Sequence, residues 1–294
     1  MTISINNLTV EFKNGTRALD DVTLQIENGI FGLLGENGAG KTTLMRVLTT
    51  LLPHTKGDIK YDNCVLNTQN YLKIQKDIGY LPQELNLYPQ LRVREALEYM
   101  GRLSGLTKNE CQKRIDQYLE CTNMAEHQKK RIGQLSGGMR RRVGLIQAMM
   151  SDPKVLIVDE PTTGLDPEER IRIRNLLVEF AKDRIVIFST HVVEDISSTC
   201  KNLAIMKKGK VIYFGNVADL FAQTRGHMKL ICVKDENELI EYEKNYIVCA
   251  KQYVENGISV KIISPNSIIE NAENEIITLE DAYMYIMNEH VKNL

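Results

Sequence analysis

The stretch Gly35-Glu36-Asn37-Gly38-Ala39-Gly40-Lys41-Thr42-Thr43 constrains this chain more than any other. It has the spacing G-x-x-x-x-G-K-[ST], and the apolar run Ile30-Phe31-Gly32-Leu33-Leu34 before it reads as a short buried strand. Residues 43 to about 51 read as a helix. Strand, glycine turn and helix in that order are the context in which such spacing makes a phosphate cradle, as against an ordinary glycine turn with a solvated lysine. The glycines let backbone N–H groups converge on phosphate oxygens, and the positive end of the new helix points at them. Lys41 adds a full charge, Thr42 offers its hydroxyl to a divalent cation, and Thr43 can donate to a phosphate.

Further polar candidates recur at the carboxyl ends of short apolar strands, the edge where open parallel sheets bind ligands. Residues 78–81 are one such strand, and Gln83 follows it with an amide oxygen that can reach a metal ion. Residues 155–158 are a second, an unbroken apolar run suited to a buried parallel strand, and it ends in Asp159-Glu160. Adjacent acids there are costly unless they face a cation or a polar cleft. Asp159 is therefore placed to bind Mg²⁺ through water and Glu160 to polarise an attacking water, with a structural ion pair as the alternative. A third strand, 185–188, is closed by Ser189-Thr190-His191. Gly164-Leu165-Asp166 forms a loop ahead of an amphipathic helix reaching about Ala181.

The N-terminal residues 3–10 and 22–26 alternate as half-buried antiparallel strands do, with Asn14-Gly15 turning between them. Phe12, just before that turn, either stacks on an adenine ring or is a core aromatic at a strand end. From 93 to 150 the period becomes helical: Val93, Ala96, Leu97, Met100 and Leu103 mark one face and Ile115, Leu119 and Thr122 another. This is a helical insert in an α/β core. Within it lies Leu135-Ser136-Gly137-Gly138-Met139, either an N-cap with a permissive turn or an anion site at a helix start. Arg140-Arg141-Arg142 read mainly as the solvated side of the following helix, with Val143, Ile146 and Met150 at core spacing. With a net charge of −1, nucleic acid is not an expected partner.

The six cysteines form no C-x-x-C pair and are read as small apolar fillers, not metal ligands or disulfides. No apolar run approaches the roughly 20 residues that span a bilayer, and Met1-Thr2-Ile3-Ser4 is no export signal, so the expected location is cytoplasmic. At 294 residues, one large domain with a small one fits best. Thr224-Arg225-Gly226 is the linker candidate. Beyond it the chain reads as strand, helix, two strands with a hairpin at Asn256-Gly257, and a final helix from 279 to about 289.

Taken in order, the glycine loop, Gln83, the Ser136-Gly137-Gly138 turn, Asp159-Glu160, Asp166 and His191 resemble the nucleotide-binding subunit of ATP-binding cassette (ABC) transporters over about residues 1–220. By that resemblance they are Walker A, Q-loop, signature, Walker B, D-loop and switch histidine, with Phe12 the adenine-stacking aromatic. The implied fold is a P-loop NTPase core with an antiparallel β subdomain and a helical insert (about 88–150), together spanning 1–222, plus a small α+β domain at 227–294. The resemblance implies ATP and Mg²⁺ as cofactors. Gly35, Asn37, Gly38, Ala39, Gly40, Lys41, Thr42 and Thr43 would hold the nucleotide; Thr42, Gln83 and Asp159 the metal. Glu160 would be the general base, His191 would hold the γ-phosphate and the water, and Ser136 and Gly138 would close on the nucleotide of a second subunit, with Asp166 beside them. Expected partners are a separate transmembrane permease and a second copy of the chain, with attachment to the cytoplasmic face of the membrane through the permease. Met139 departs from the family's usual glutamine, yet the phosphate-facing serine and glycines are intact, so activity is expected to survive. The tail is similar to that of the subfamily that exports drugs, antibiotics or peptides, or builds surface polymers, through a separate permease chain. The competing function is a soluble ATPase of the same class acting on nucleic acid or ribosomes. Such relatives usually carry two cassettes or a long coiled coil, and this chain has neither.

Overall fold

The computed structural model describes residues 1–255, 257–263 and 277–292, with side chains up to residue 288 in the last stretch. It divides into two compact units, Met1–Phe214 and Gly215–Leu294. In the first, β1 (Ile3–Glu11) and β2 (Arg17–Ile26) make a hairpin, and β3 (Gly29–Gly35) runs into α1 (Lys41–Leu48). Then come β4 (Lys56–Tyr61), β5 (Cys64–Val65), α2 (Tyr71–Lys76) and β6 (Ile78–Leu81). The helical stretch follows as α3 (Val93–Leu103), α4 (Lys108–Cys121) and α5 (Gly137–Met149). The chain then alternates through β7 (Val155–Asp159), α6 (Pro167–Phe180), β8 (Ile185–Thr190), α7 (Val193–Ser197), β9 (Asn202–Lys207) and β10 (Lys210–Asn216).

These strands form an antiparallel sheet of order β2-β1-β4-β5 and a larger sheet of order β10-β9-β3-β8-β7-β6. In the larger sheet, β3 pairs in parallel with β8 and β9, and β7 with β6 and β8. Every residue of β7 and β8 is buried, as their unbroken apolar runs require. One buried cluster joins Ile3, Ile5 and Leu24 of the antiparallel sheet to Phe31 and Leu33 of β3, Leu44, Met45 and Leu48 of α1, and Ile157 and Ile187. Each such side chain contributes about 1.5–3 kcal/mol by leaving water. The cluster therefore fixes α1, and with it the glycine turn, against both sheets.

Parallel pairing brings the carboxyl ends of β3, β6, β7 and β8 to one edge. In register, Asp159 lies beside Ser189, Leu34 beside Thr190 and Gly35 beside Met206.

Two expectations are corrected. The arginine triplet is not a solvated face: Arg141 is only 7% exposed, and Arg142 is largely covered. Successive residues turn by about 100° around a helix, so only Arg140 of the three is left outside. The cysteines divide as well. Cys111 and Cys200 are buried fillers, with burial pushing the Cys200 thiol up to about 12, whereas Cys121 and Cys232 are exposed.

The second unit holds α8 (Val217–Thr224), β11 (Met228–Val233), α9 (Glu236–Asn245), β12 (Ile247–Val254), β13 (Gly257–Ile263) and α10 (Leu279–Lys292). Its antiparallel sheet has the order β11-β13-β12, and Leu239 of α9 packs with Ile231, Val233, Ile258, Val260 and Ile262. The hairpin expected at Asn256-Gly257 falls in part on Asn256, outside the described residues. Asp281 of α10 is 5% exposed and accepts from Lys261 Nζ at 3.0 Å and from the Thr278 N–H and hydroxyl at 2.8 Å each.

Candidate active site

The turn after β3 bends through Gly38 (φ 81°) and Gly40 (φ 104°), conformations that L side chains rarely adopt. A Cβ on Gly40 would also lie 2.7 Å from the Ala18 carbonyl oxygen, so this position demands glycine twice over. Gly40 is the N-cap of α1, and no side chain caps that end. Its first N–H groups are thus free to donate to an anion. Lys41 is 6% exposed, and its Nζ donates to the carbonyls of Gly35 (2.5 Å) and Glu36 (3.0 Å). Burial pulls its pKa down, while Glu160, Asp159 and Glu36 push it back up.

Opposite the turn stand the two acids. Thr42 Oγ1 donates to Asp159 Oδ2 at 2.9 Å, and Ser189 Oγ donates to Asp159 Oδ1. The hydroxyl of Thr42, the carboxylate of Asp159 and the nearby amide of Gln83 are hard oxygen donors of the kind Mg²⁺ takes. Glu160 has a left-handed backbone (φ 50°), a conformation costing a non-glycine residue about 1–3 kcal/mol. The surroundings hold it there. Its N–H donates to the Ser189 carbonyl (3.1 Å) and to Ser189 Oγ (3.2 Å), Oε1 lies 2.8 Å from His191 Nδ1, and Oε2 accepts from Thr163 Oγ1 at 3.0 Å.

A cavity of about 510 Å³ covers the turn, lined by Asn37 to Thr43, Gln83, Asp159 and Glu160 together with Thr16, Arg17, Ala18, Lys208 and Gly209. Its floor is thus the glycine turn and its far wall the pair of acids. Gln83 and Glu160 also border a second cavity of about 380 Å³, together with Gly137, Thr163 and Gly164. Gly35 lies beneath the turn as the carbonyl acceptor for Lys41.

The remaining expected residues stand around these cavities without lining the first. Ser136 is the exposed N-cap of α5, and its hydroxyl accepts from the Met139 N–H at 3.2 Å. Only the backbone of Met139 enters that bond, which is why a methionine there leaves the turn intact. Gly138 follows Ser136 in the first turn of α5, and Asp166 is the exposed N-cap of α6. Phe12 is 41% exposed at the β1–β2 turn, where its N–H donates to the Thr16 carbonyl at 2.9 Å. It does not line the cavity, although Thr16, Arg17 and Ala18 just after it do.

Ser189, Thr163 and Arg141 hold the site together and were not singled out from the sequence. Ser189 had one available signal, its position at the carboxyl end of an apolar strand beside His191. Arg141 had none, because its partners come from chain folded against it; Thr163 bonds to Glu160 only three residues away, but nothing in the spacing says that its hydroxyl turns to that carboxylate.

A glycine cradle with a buried lysine at a helix start, facing paired acids along one edge of a parallel sheet, defines a P-loop nucleoside triphosphatase. The family model described as "ABC transporter" matches residues 19–163. The uncharacterised ABC transporter ATP-binding protein YxlF of Bacillus subtilis is 39% identical over 83% of this chain and 81% of its own length. The linearmycin resistance ATP-binding protein LnrL of the same organism is 37% identical over 67% and 63%. The methionine import ATP-binding protein MetN 2 of Bacillus cereus is 35% identical over 76% and 68%. Among solved structures, cbiO1 from Clostridium perfringens, part of the ABC transporter complex cbiONQ, is 30% identical with a TM-score of 0.67, covering 83% of this chain and 94% of that one. The dimeric ATP-binding cassette MJ0796 bound to ADP and Pi is 25% identical with a TM-score of 0.65, covering 73% and 98%. The chain belongs to the ABC transporter family, as one of its ATP-binding subunits. It is an ATPase. Among the described residues, no helix is long and apolar enough to cross a membrane.

Proposed function

We propose that two copies of this chain close on two ATP molecules and, by hydrolysing them, drive a separate membrane permease to which they attach at its cytoplasmic face. One observation carries the reading. The lining of the cavity over Lys41 includes neither Ser136 nor Gly138, while Ser136 stands exposed at the opening of α5. A second copy supplies the missing wall, its helix start and bare N–H groups facing the terminal phosphate. The similarity to a dimeric cassette supports this pairing.

Within each site, Gly35 to Thr43 grip the triphosphate and Phe12 stacks on the adenine. Thr42, Asp159 and Gln83 hold Mg²⁺, which when bound neutralises phosphate charge. Glu160 accepts a proton from the water that attacks the γ-phosphorus as the bond to the β–γ bridging oxygen breaks and ADP leaves, a role worth about 10²–10⁴-fold. His191, already seated on Glu160, orients that water and the γ-phosphate, and Asp166 works at the contact between the copies. The first unit, residues 1–214, forms this cassette, its helical insert meets the permease, and the second unit is an accessory domain. Export is the proposed direction, supported by the relative named for linearmycin resistance; the methionine-import relatives favour the opposite one, and the permease chooses.

The test is the purified chain with ATP and Mg²⁺, followed by light scattering and phosphate release, alone and with its permease. Nucleotide-dependent pairing with phosphate release is the expected result. A chain that does neither in both settings overturns the proposal.

A further inference from the structure

Asp195 is a buried carboxylate of the first unit that the proposed chemistry leaves unused. It lies in α7, four residues after His191, and two side chains from other parts of the fold meet it. Thr162 Oγ1 donates to its Oδ2 at 2.6 Å, and Arg174 Nη1 of α6 donates to its Oδ1 at 3.3 Å. Thr162 is buried too, and stands two residues after Glu160 in the turn that follows β7. Its neighbour Thr163 donates to Glu160 Oε2 at 3.0 Å. The Asp195 carboxylate thus joins the chain just after His191 to the chain just after Glu160.

Packing alone does not call for an acid at this position. A Cβ on Gly32 would lie 2.7 Å from Ile196 Cδ1 and 3.2 Å from Cys200 Sγ, so α7 and the turn after it already rest on β3 through apolar side chains. Taking a carboxylate and a guanidinium out of water is costly, and an apolar side chain would fill the space without that penalty. Apolar contact is non-directional, however, whereas a hydrogen bond fixes both distance and angle. Direction is what His191 lacks. Its side chain is 45% exposed, and its one hydrogen-bonding partner among the described residues is Glu160 Oε1, 2.8 Å from Nδ1. The chain on either side of it is fixed instead: the Val192 N–H donates to Thr190 Oγ1 at 2.9 Å, and Asp195 is held by Thr162.

We infer that Asp195 is a positioning residue which, through its bond with Thr162, sets the separation of the His191 and Glu160 segments and so keeps the imidazole turned on the carboxylate. The inference rests on the proposed function in one respect, that His191 and Glu160 handle the attacking water. Asp195 and Thr162 line neither cavity of the site, so their effect reaches a nucleotide only through the residues they hold. An ionised carboxylate only accepts, so the contact between Glu160 and His191 requires the imidazole hydrogen on Nδ1.

The test reads the imidazole nitrogen NMR signals of His191 in the purified full chain without nucleotide, assigned by their loss in His191→Ala. Wild type should show Nδ1 as the protonated nitrogen. Thr162→Val keeps the branched shape and loses the hydroxyl, so both ring signals should move toward those of an imidazole exchanging freely between its two forms in water. Thr162→Ser should return most of that shift. Asp195→Asn keeps an acceptor without the charge that strengthens the bond, so it should move the signals the same way by less, and it decides the question if the valine variant does not fold. With ATP and Mg²⁺, kcat of Thr162→Val should fall at least tenfold while the Kd for ATP stays within twofold. Unchanged His191 signals in the folded variants overturn the inference. So does a loss of kcat matched by an equal loss of ATP affinity, the mark of a fold loosened throughout. If wild type binds ATP but releases no phosphate with or without its permease, the hydrolytic reading fails, whereas the His191 signals still decide the brace.

Discussion

Ser189→Ala tests the site at the residue on which both acids converge. Ser189 is fully buried, donates its hydroxyl hydrogen to Asp159 Oδ1, and accepts the Glu160 N–H at 3.2 Å. Alanine removes one oxygen and almost no volume, so the change isolates these bonds from packing. A hydrogen bond to a charged group contributes about 1.5–3 kcal/mol, and leaving its acceptor buried and unmatched costs an amount of that order. The Glu160 N–H retains the Ser189 carbonyl at 3.1 Å, so its share of the loss is small. The expected destabilisation is therefore about 2 kcal/mol, which for a unit of this size lowers the melting temperature by about 4–8 °C. Among the described residues, the Asp159 carboxylate then keeps only the Thr42 hydroxyl at 2.9 Å, and that hydroxyl is itself a proposed Mg²⁺ donor. A loss of about 1.4 kcal/mol in orientation would raise the Mg²⁺ needed for half-maximal ATPase about tenfold. Calorimetry of the nucleotide-free chain reads the first quantity and an Mg²⁺ titration of turnover the second. Ser189→Thr, which keeps the hydroxyl, should restore most of both. An alanine variant with unchanged melting and unchanged Mg²⁺ response would refute the reasoning.

Glu160→Gln keeps the shape of the site and removes the base, so ATP should still bind and a stable ATP-bound dimer should accumulate on light scattering; turnover equal to wild type would take Glu160 out of the mechanism. Lys41→Ala removes the buried ammonium at the cradle, and equilibrium binding of a fluorescent ATP analogue should weaken at least tenfold; an unchanged Kd would count against phosphate capture there. In the second unit, Asp281→Ala removes the buried carboxylate that pairs with Lys261 and accepts from the Thr278 N–H and hydroxyl. Breaking a buried pair in this way costs about 3–5 kcal/mol. Limited proteolysis should therefore release the second unit early while the ATPase of the first persists, and identical digestion patterns would show that the pair contributes little.

Much of the site was readable because its chemistry is local. The cradle of Gly38, Gly40 and Lys41 is made by neighbours in sequence, and its geometry follows from glycines that accept positive φ ahead of a helix. Gln83, Asp159, Glu160 and His191 could be singled out because each ends a short apolar strand, and parallel strands deliver their ends to one edge. The arginines show where such reading stops. Arg140, Arg141 and Arg142 are identical in kind and adjacent, yet one is exposed, one bonds to strand-end carbonyls, and one donates to the Thr122 carbonyl and pairs with Glu169. Composition and charge cannot separate them, since what differs is which neighbouring element each faces.

Sequence by itself determined that a phosphate cradle exists, which side chains form it and which strands end in acids, because these depend on spacing and on the periods of strand and helix. Tertiary structure decided that Ser189 braces Asp159, that His191 holds Glu160, and that Arg141 reaches across to Gln83. Those contacts join residues that only sheet register and the seating of α5 on β6 bring within hydrogen-bond range. A hydrogen bond acts over about 3 Å, so it is created by folding and leaves no periodicity in the chain.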